Sequence, residues 1–269
     1  MLSEVTIGQF FETGSAIHKL DSRLKFALMF LYMFLMFMLK SILAFILNFA
    51  VVLVLYVIAK IPIRMLWKNI SAILPMIFIA ALVNLFLVPG DDLFRFLGIG
   101  FSKQGVLLVI LMILRLLCFV AMTALLMHTT SPISLTDAIE WMLRPFKFLK
   151  ISPGEIAMML SIALRFVPTL LSETNRIVAA QKSRGACFES KKLMRRVKAY
   201  IPVIVPLLFS AFERAQELAV AMESRCYCGG EGRTKFRKLE FGFNDGISLF
   251  FALGYIVALL WVNNLATWP

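Results

Sequence analysis

The chain has 269 residues, of which 60% are hydrophobic and only 16% charged, with 25 Phe and 15 Met. Apolar runs of near-bilayer length recur, so the composition defines a polytopic membrane protein and excludes a soluble domain. The excess of 28 Lys and Arg over 16 Asp and Glu is unevenly spread; without any nucleic-acid-binding pattern it points to anionic head groups or an acidic partner.

Residues 1–25 read as a polar, amphipathic cytoplasmic lead-in without a cleavable signal peptide. His18, Asp21, Arg23 and Lys25 cluster there. They are placed to pair with one another or with head groups, and His18 reads as a solvated interfacial residue rather than a catalytic one. The first span is expected over about Leu24–Leu39, with Lys40 snorkelling, and the second over Ser41–Ala59. The linker 60–68 carries Lys60, Arg64 and Lys68 and no acid. A third span follows over Ile70–Val88, with Pro75 near its start. The loop 89–104 is charge-neutral, and Gly98–Phe101 forms a short extended turn. The fourth span, Gly105–Met127, carries Arg115. A charge at that depth faces protein or a cavity, held by a salt bridge or a carbonyl, or serving movement.

Residues 128–245 hold no lipid-spanning segment of the usual kind and carry 18 Lys and Arg against 11 Asp and Glu. Ser134-Leu135-Thr136-Asp137 resembles a capping box that starts an amphipathic helix, which Pro145 ends or kinks. Ser152-Pro153-Gly154-Glu155 starts a stronger one, with Ser as N-cap and Pro at the first helical position. That helix runs to Arg184, bends near Pro168 and stops at Gly185. A basic segment follows (Lys191, Lys192, Arg195, Arg196, Lys198). Pro202 and Pro206 break the next helix, which continues to about Arg225. Such long amphipathic helices lie near the cytoplasmic interface and cross one another. The last span is Gly246–Asn264. The expected organisation is thus a lead-in and four transmembrane helices over 1–127, interfacial helices over 128–245, and a C-terminal transmembrane helix over 246–269. Five spans and the Lys/Arg bias place the N-terminus in the cytoplasm and the C-terminus outside.

Two stretches organise the rest. Ala180-Gln181-Lys182-Ser183-Arg184-Gly185 and Ala221-Met222-Glu223-Ser224-Arg225-Cys226 lie 41 residues apart, each ending a predicted helix. Cys187 and Cys228 keep the same spacing. Fixed-period similarity marks a repeated supersecondary unit, here two helices that each offer one Arg to the same kind of docking groove. The plainer reading is an Arg at the negative end of a helix dipole with Gly as cap.

Catalytic patterns are missing. The chain has no GxxxxGK[ST] phosphate loop and no HExxH, and Gly98, Gly100 and Gly105 are misspaced for a dinucleotide fingerprint. Cys187, Cys226 and Cys228, reduced on the cytoplasmic side, do not match zinc-ligand spacing. No metal, cofactor or catalytic residue is expected. Few acids line the spans, which argues against a proton-coupled carrier.

These stretches resemble the transmembrane (T) component of energy-coupling factor (ECF) importers over nearly the whole chain. The lead-in Ile7-Gly8-Gln9-Phe10 and Ser15-x-Ile17-His18-x-Leu20-Asp21-Ser22-Arg23-x-Lys25 is similar to the family's N-terminal signature, in the form of the group whose module serves several substrate subunits. Thr129-Thr130-Ser131-Pro132, Ala163-Leu164-Arg165-Phe166-Val167-Pro168 and the two Arg stretches are similar to its later ones. Ser22 stands where the family usually has Pro, Ser183 and Ser224 where it has Ala, and Cys226 where it has Gly; Cys226 would alter the second helix ending. The resemblance implies an all-α fold with about five transmembrane helices and long cytoplasmic coupling helices. It implies a non-catalytic subunit linking two ABC ATPases to a separate substrate-binding S subunit, for uptake of vitamins or other micronutrients across the cell membrane. Arg184 and Arg225 are then the ATPase-docking contacts, flanked by Ala180, Gln181, Ser183, Gly185, Ala221, Glu223, Ser224 and Cys226, with His18, Asp21, Arg23, Arg165 and Pro168 as structural or interfacial residues. A permease forming its own substrate pathway and a membrane-embedded enzyme are the alternatives.

Overall fold

The computed structural model describes residues 11, 13–87, 92–96, 99–149, 152–190, 192–229 and 241–265. The signature stretch Ile7–Phe10, Gly98, Lys191 and the C-terminal Trp268-Pro269 lie outside them. The fold is helical: α1 Ser22–Met38, α2 Ile42–Ile58, α3 Ile63–Leu87, α4 Lys103–Thr129, α5 Pro132–Leu143, α6 Pro153–Ser183, α7 Leu193–Glu223 and α8 Phe243–Leu265. A 3-10 turn, Arg144–Leu149, follows α5, where Pro145 was expected to end it. Between α3 and α4, β1 (Asp92–Phe96) pairs antiparallel with β2 (Ile99–Ser102), so the loop expected over 89–104 is largely a hairpin.

The described residues divide into two compact units, one within 8–138 and 238–269 and the other within 139–237. In the first, α4 packs on α1, α2 and α3, and α8 packs on α1 and α2. Met36, Phe45, Val52, Tyr56, Cys118, Ala121 and Leu259 form its core. The opposite faces are apolar too: Phe34, Phe37, Val57, Met76, Phe78 and Phe250 are all more than 60% exposed. A helix apolar all round belongs in lipid. Tyr32 and Asn48 are buried within this unit and hydrogen-bonded to each other, 2.8 Å apart, and the Tyr255 hydroxyl donates to Asn48 Oδ1. Arg115 points inward as expected: it donates to the Leu39 carbonyl at 3.0 Å, and its guanidinium carbon lies 5.5 Å from the centre of the Phe45 ring.

Among the described residues, five helical segments are long and apolar enough to cross a membrane: Ile42–Ala59, Ile63–Asn84, Gly105–Thr129, Pro153–Ser183 and Phe243–Leu265. This set differs from the expected one at two places. α1 has 17 residues, about 26 Å at 1.5 Å per residue, somewhat short of the ~30 Å hydrocarbon core. α6 qualifies by length and composition although it falls in the 128–245 stretch.

Several helix limits also differ from the sequence reading. α3 starts seven residues earlier than Ile70, which takes in Arg64 and Lys68 and leaves Pro75 inside the helix. The local cause is Lys60, which adopts φ 55. The amides of Lys60 and Ile61 bond back to Val57 and Tyr56, closing α2 sharply, and α3 restarts after Pro62. α5 begins at Pro132, with Ser131 as its cap: the Ser131 Oγ accepts from the Ser134 amide at 3.2 Å. Ser134 is therefore the third helical residue, not the N-cap. α7 runs unbroken through Pro202 and Pro206; each lacks one backbone donor without ending the helix.

Candidate functional site

The two Arg stretches end their helices by the same bonding. After α6, the Gly185 amide donates to Lys182 O at 3.0 Å and the Ala186 amide to Gln181 O at 3.0 Å. After α7, the Cys226 amide donates to Glu223 O at 2.9 Å and the Tyr227 amide to Met222 O at 3.1 Å. Every donor and acceptor is shifted by the same 41 residues. This is the Schellman pattern, in which a left-handed residue follows the last helical one and returns two amides to the final carbonyls. The left-handed residues are Gly185, φ 85, and Cys226, φ 56. By this bonding Arg184 and Arg225 occupy equivalent positions.

The surroundings of each Arg are open. Ala180, Ser183, Arg184, Gly185, Ala221, Glu223, Ser224, Arg225 and Cys226 are exposed, and Gln181 is half-buried. The Ser183 and Ser224 hydroxyls fold back onto their own helices, bonding Ala179 O and Ala221 O at 3.2 and 3.0 Å. Small residues flank each Arg in the chain: Ser183 and Gly185 at Arg184, Ser224 and Cys226 at Arg225. Neither has an ion-pair partner among the described residues.

Cys226 does not alter the second ending, contrary to expectation: the same two bonds form with a non-glycine residue. The cost is local, since an L-residue in the left-handed region loses about 1–2 kcal/mol. Cys226→Gly should therefore raise stability by about 1 kcal/mol, read as a higher melting temperature of the purified protein. Cys226→Ala should give no such gain. All four cysteines are free, and Cys187, Cys226 and Cys228 are exposed.

α6 and α7 pack together, and one polar cluster pins them. Glu173 accepts from Arg214 at 2.7 Å and from the Ser210 hydroxyl at 2.8 Å. The half-buried pair joins the two helices through residues 41 positions apart in the chain. Sequence reasoning missed it; the available signal was Glu173, one of only two acids in α6. Between the helices, Phe188 is buried and meets the Tyr200 ring edge-on at 5.2 Å, anchoring the stretch just after Arg184.

Near the other Arg lies a cleft of about 680 Å³ lined by Met158, Ser161, Ile162 and Arg165 of α6 and by Met222, Arg225, Cys226, Tyr227, Cys228 and Gly229. Arg165 thus belongs with Arg225 and not with Arg184. Pro168 lies inside α6 and is exposed. Ser152 sits at the N-cap of α6, but its side chain makes no capping bond; the Glu155 and Ile156 amides return to its carbonyl instead.

The lead-in residues form a second constellation, in the other unit. His18 is half-buried, not solvated, with the Ser15 and Thr13 hydroxyls 2.7 and 3.2 Å from its Nδ1. Asp21 caps α1 by accepting from the Arg23 amide at 2.9 Å, while its own amide donates to Asp245 at 2.9 Å. Lys25 donates to the carbonyls of His18 and Thr129, 3.1 and 3.0 Å away. Thr13 donates to Ala59 O at 2.8 Å. The lead-in therefore ties together the ends of α1, α2, α4 and α8. The Asp21 and Lys25 side chains bond backbone groups.

The fold and these sites define a multi-pass helical membrane protein that presents two matched, Arg-bearing helix ends. The family model of CbiQ, cobalt transport protein, matches residues 13–236. The energy-coupling factor transporter transmembrane protein EcfT of Acidaminococcus fermentans is 40% identical over 263 residues, 98% of each chain. The protein of that name from Ruminiclostridium cellulolyticum is 42% identical over 241 residues, 90% of each chain. That of Listeria innocua is 39% identical over 266 residues, 98% of this chain and 100% of its own. The chain belongs to this family: it is a transmembrane component of an energy-coupling factor transporter.

Proposed function

We propose that this chain is the coupling subunit of an ECF-type importer. It carries ATP-driven motion of two cytoplasmic ATP-binding-cassette ATPases to a separate substrate-binding membrane subunit that takes up a vitamin or another micronutrient. The chain itself is non-catalytic. The observation that supports this most is the pair of identical helix endings, each with an exposed Arg that has no ion-pair partner among the described residues. An Arg fork makes a directional, bidentate contact with a carboxylate, which suits transmission of a rigid-body motion.

On this reading the region 128–245 lies along the cytoplasmic side. Any 20-residue window of α6 contains at least two of Glu155, Arg165, Glu173, Arg176 and Lys182, a heavy load for a lipid-facing span. The Glu173–Arg214 pin makes α6 and α7 one lever. The apolar, exposed face of α7, with Ile204, Leu208, Phe209 and Phe212, is the surface for the substrate-binding subunit. The spans α1–α4 and α8 then leave the N-terminus inside and the C-terminus outside, in keeping with the basic 60–68 and 128–245 segments.

Purification of the tagged chain from its native membrane, with identification of the bound chains, tests the proposal. ATPases carrying a phosphate loop and a small membrane protein should co-purify. A chain that transports with ATPases alone would be a permease, and the proposal would fall.

A further inference from the structure

The two helix ends match in backbone but differ in what surrounds them. The segment after Arg184 is anchored back onto its own unit by Phe188 against Tyr200. Arg225 instead borders the cleft, across which α6 offers the stripe Met158, Ser161, Ile162 and Arg165. These positions follow the i, i+3, i+4, i+7 spacing of one helix face. Two exposed guanidiniums therefore line one concavity. Among the described residues, those lining it include no carboxylate, although Glu155 Oε1 lies at its margin, 3.7 Å from a Cβ built at Gly229, and neither Arg has an ion-pair partner among them. Like charges in one concavity repel each other, and its wall intensifies their field. Such a site is complementary to an anion. Tyr227 and the two methionines give it apolar walls, which suits a side chain carried on a folded partner better than a hydrated inorganic ion.

We propose that this cleft receives an acidic side chain of the ATPase docked at Arg225, and that Arg165 is a second docking residue acting with Arg225 on that carboxylate. This rests on the docking role proposed above and extends it to a residue in the middle of α6, 60 positions upstream in the chain. It also makes the two docking ends unequal, since the residues lining this cleft include Arg225 and not Arg184.

The test uses the assembled complex with its ATPases. Arg165→Lys and Arg225→Lys are made separately, and each complex is treated with a carbodiimide, which joins a lysine amine to a carboxylate in contact with it. Cross-linked peptides are then sequenced. The proposal expects the lysine introduced at either position to join an ATPase carboxylate in the same segment of that partner. It also expects Arg165→Ala to weaken ATPase binding at least about tenfold, as loss of one partner of an interfacial charge contact does. If the lysine at 225 reaches an ATPase while that at 165 joins only residues of its own chain, or nothing, the proposal is wrong and the docking role of Arg225 stands. If neither position reaches an ATPase, the docking reading itself fails. Normal ATPase affinity in Arg165→Ala would also overturn the proposal.

Discussion

Replacing Arg184 and Arg225 together by alanine is expected to strip most of the ATPase from the membrane subunit while leaving the chain folded and inserted. Both residues are exposed and lie beyond the last helical turn. Their backbone bonds to Gln181 and Met222 do not depend on the side chain. Truncating one member of a desolvated interfacial charge pair costs roughly 2–5 kcal/mol. A single substitution weakens one of two contacts, and the other, with apolar contacts around it, retains part of the assembly. The double substitution removes both. The plainer view, in which each Arg only complements its helix dipole, assigns about 0.3–1 kcal/mol per site and lets Lys replace it almost fully. On the docking view Lys rescues in part, because it has no planar fork. The ATPase content of the purified complex, for the Ala and Lys doubles at equal expression, separates the two.

Asn48→Leu is expected to destabilise the transmembrane unit by about 2 kcal/mol. Asn48 is fully buried on α2 and joins three helices through Tyr32 of α1 and Tyr255 of α8. Leucine is nearly isosteric but leaves two hydroxyls without this partner, each costing about 1–3 kcal/mol when unsatisfied. Hydrogen bonds between membrane helices have averaged less than that, about 0.6 kcal/mol, so the lower part of the range applies. Removing all three polar groups, as Asn48→Leu with Tyr32→Phe and Tyr255→Phe, should recover most of the loss, since apolar replacement of both partners is nearly neutral. Thermal unfolding of the purified variants measures this. A triple variant no more stable than the single would show that Asn48 acts through packing.

What could be read in the sequence was local. The stop of α6 at Gly185 was legible because a left-handed backbone there favours glycine; nothing lies within 4 Å of a Cβ built at that position, so φ alone sets the preference. The equivalence of Arg184 and Arg225 was legible because the repeat keeps a fixed spacing. What hid was non-local or masked by apolar neighbours. Asn48 sits in the uniformly apolar run of α2, where a polar residue gives no sign of its partners. Glu173 and Arg214 are 41 positions apart, and no periodicity joins them. Lys60 carries no glycine signal although it turns left-handed, so the start of α3 was placed too late. The prolines of α7 were read as breaks, yet a long amphipathic helix absorbs the loss of two bonds when its neighbours fix its path. Arg165 was seen as interfacial; its place beside Arg225 depends on how α6 and the end of α7 come together, which no local pattern encodes.

ATP-driven substrate uptake into proteoliposomes, with the Arg184→Ala, Arg225→Ala double variant, the ATPases and the substrate-binding subunit all present at wild-type levels, tests the coupling claim most directly. The account predicts uptake at background, with any ATPase that remains attached hydrolysing ATP unproductively; uptake at the wild-type rate would contradict it.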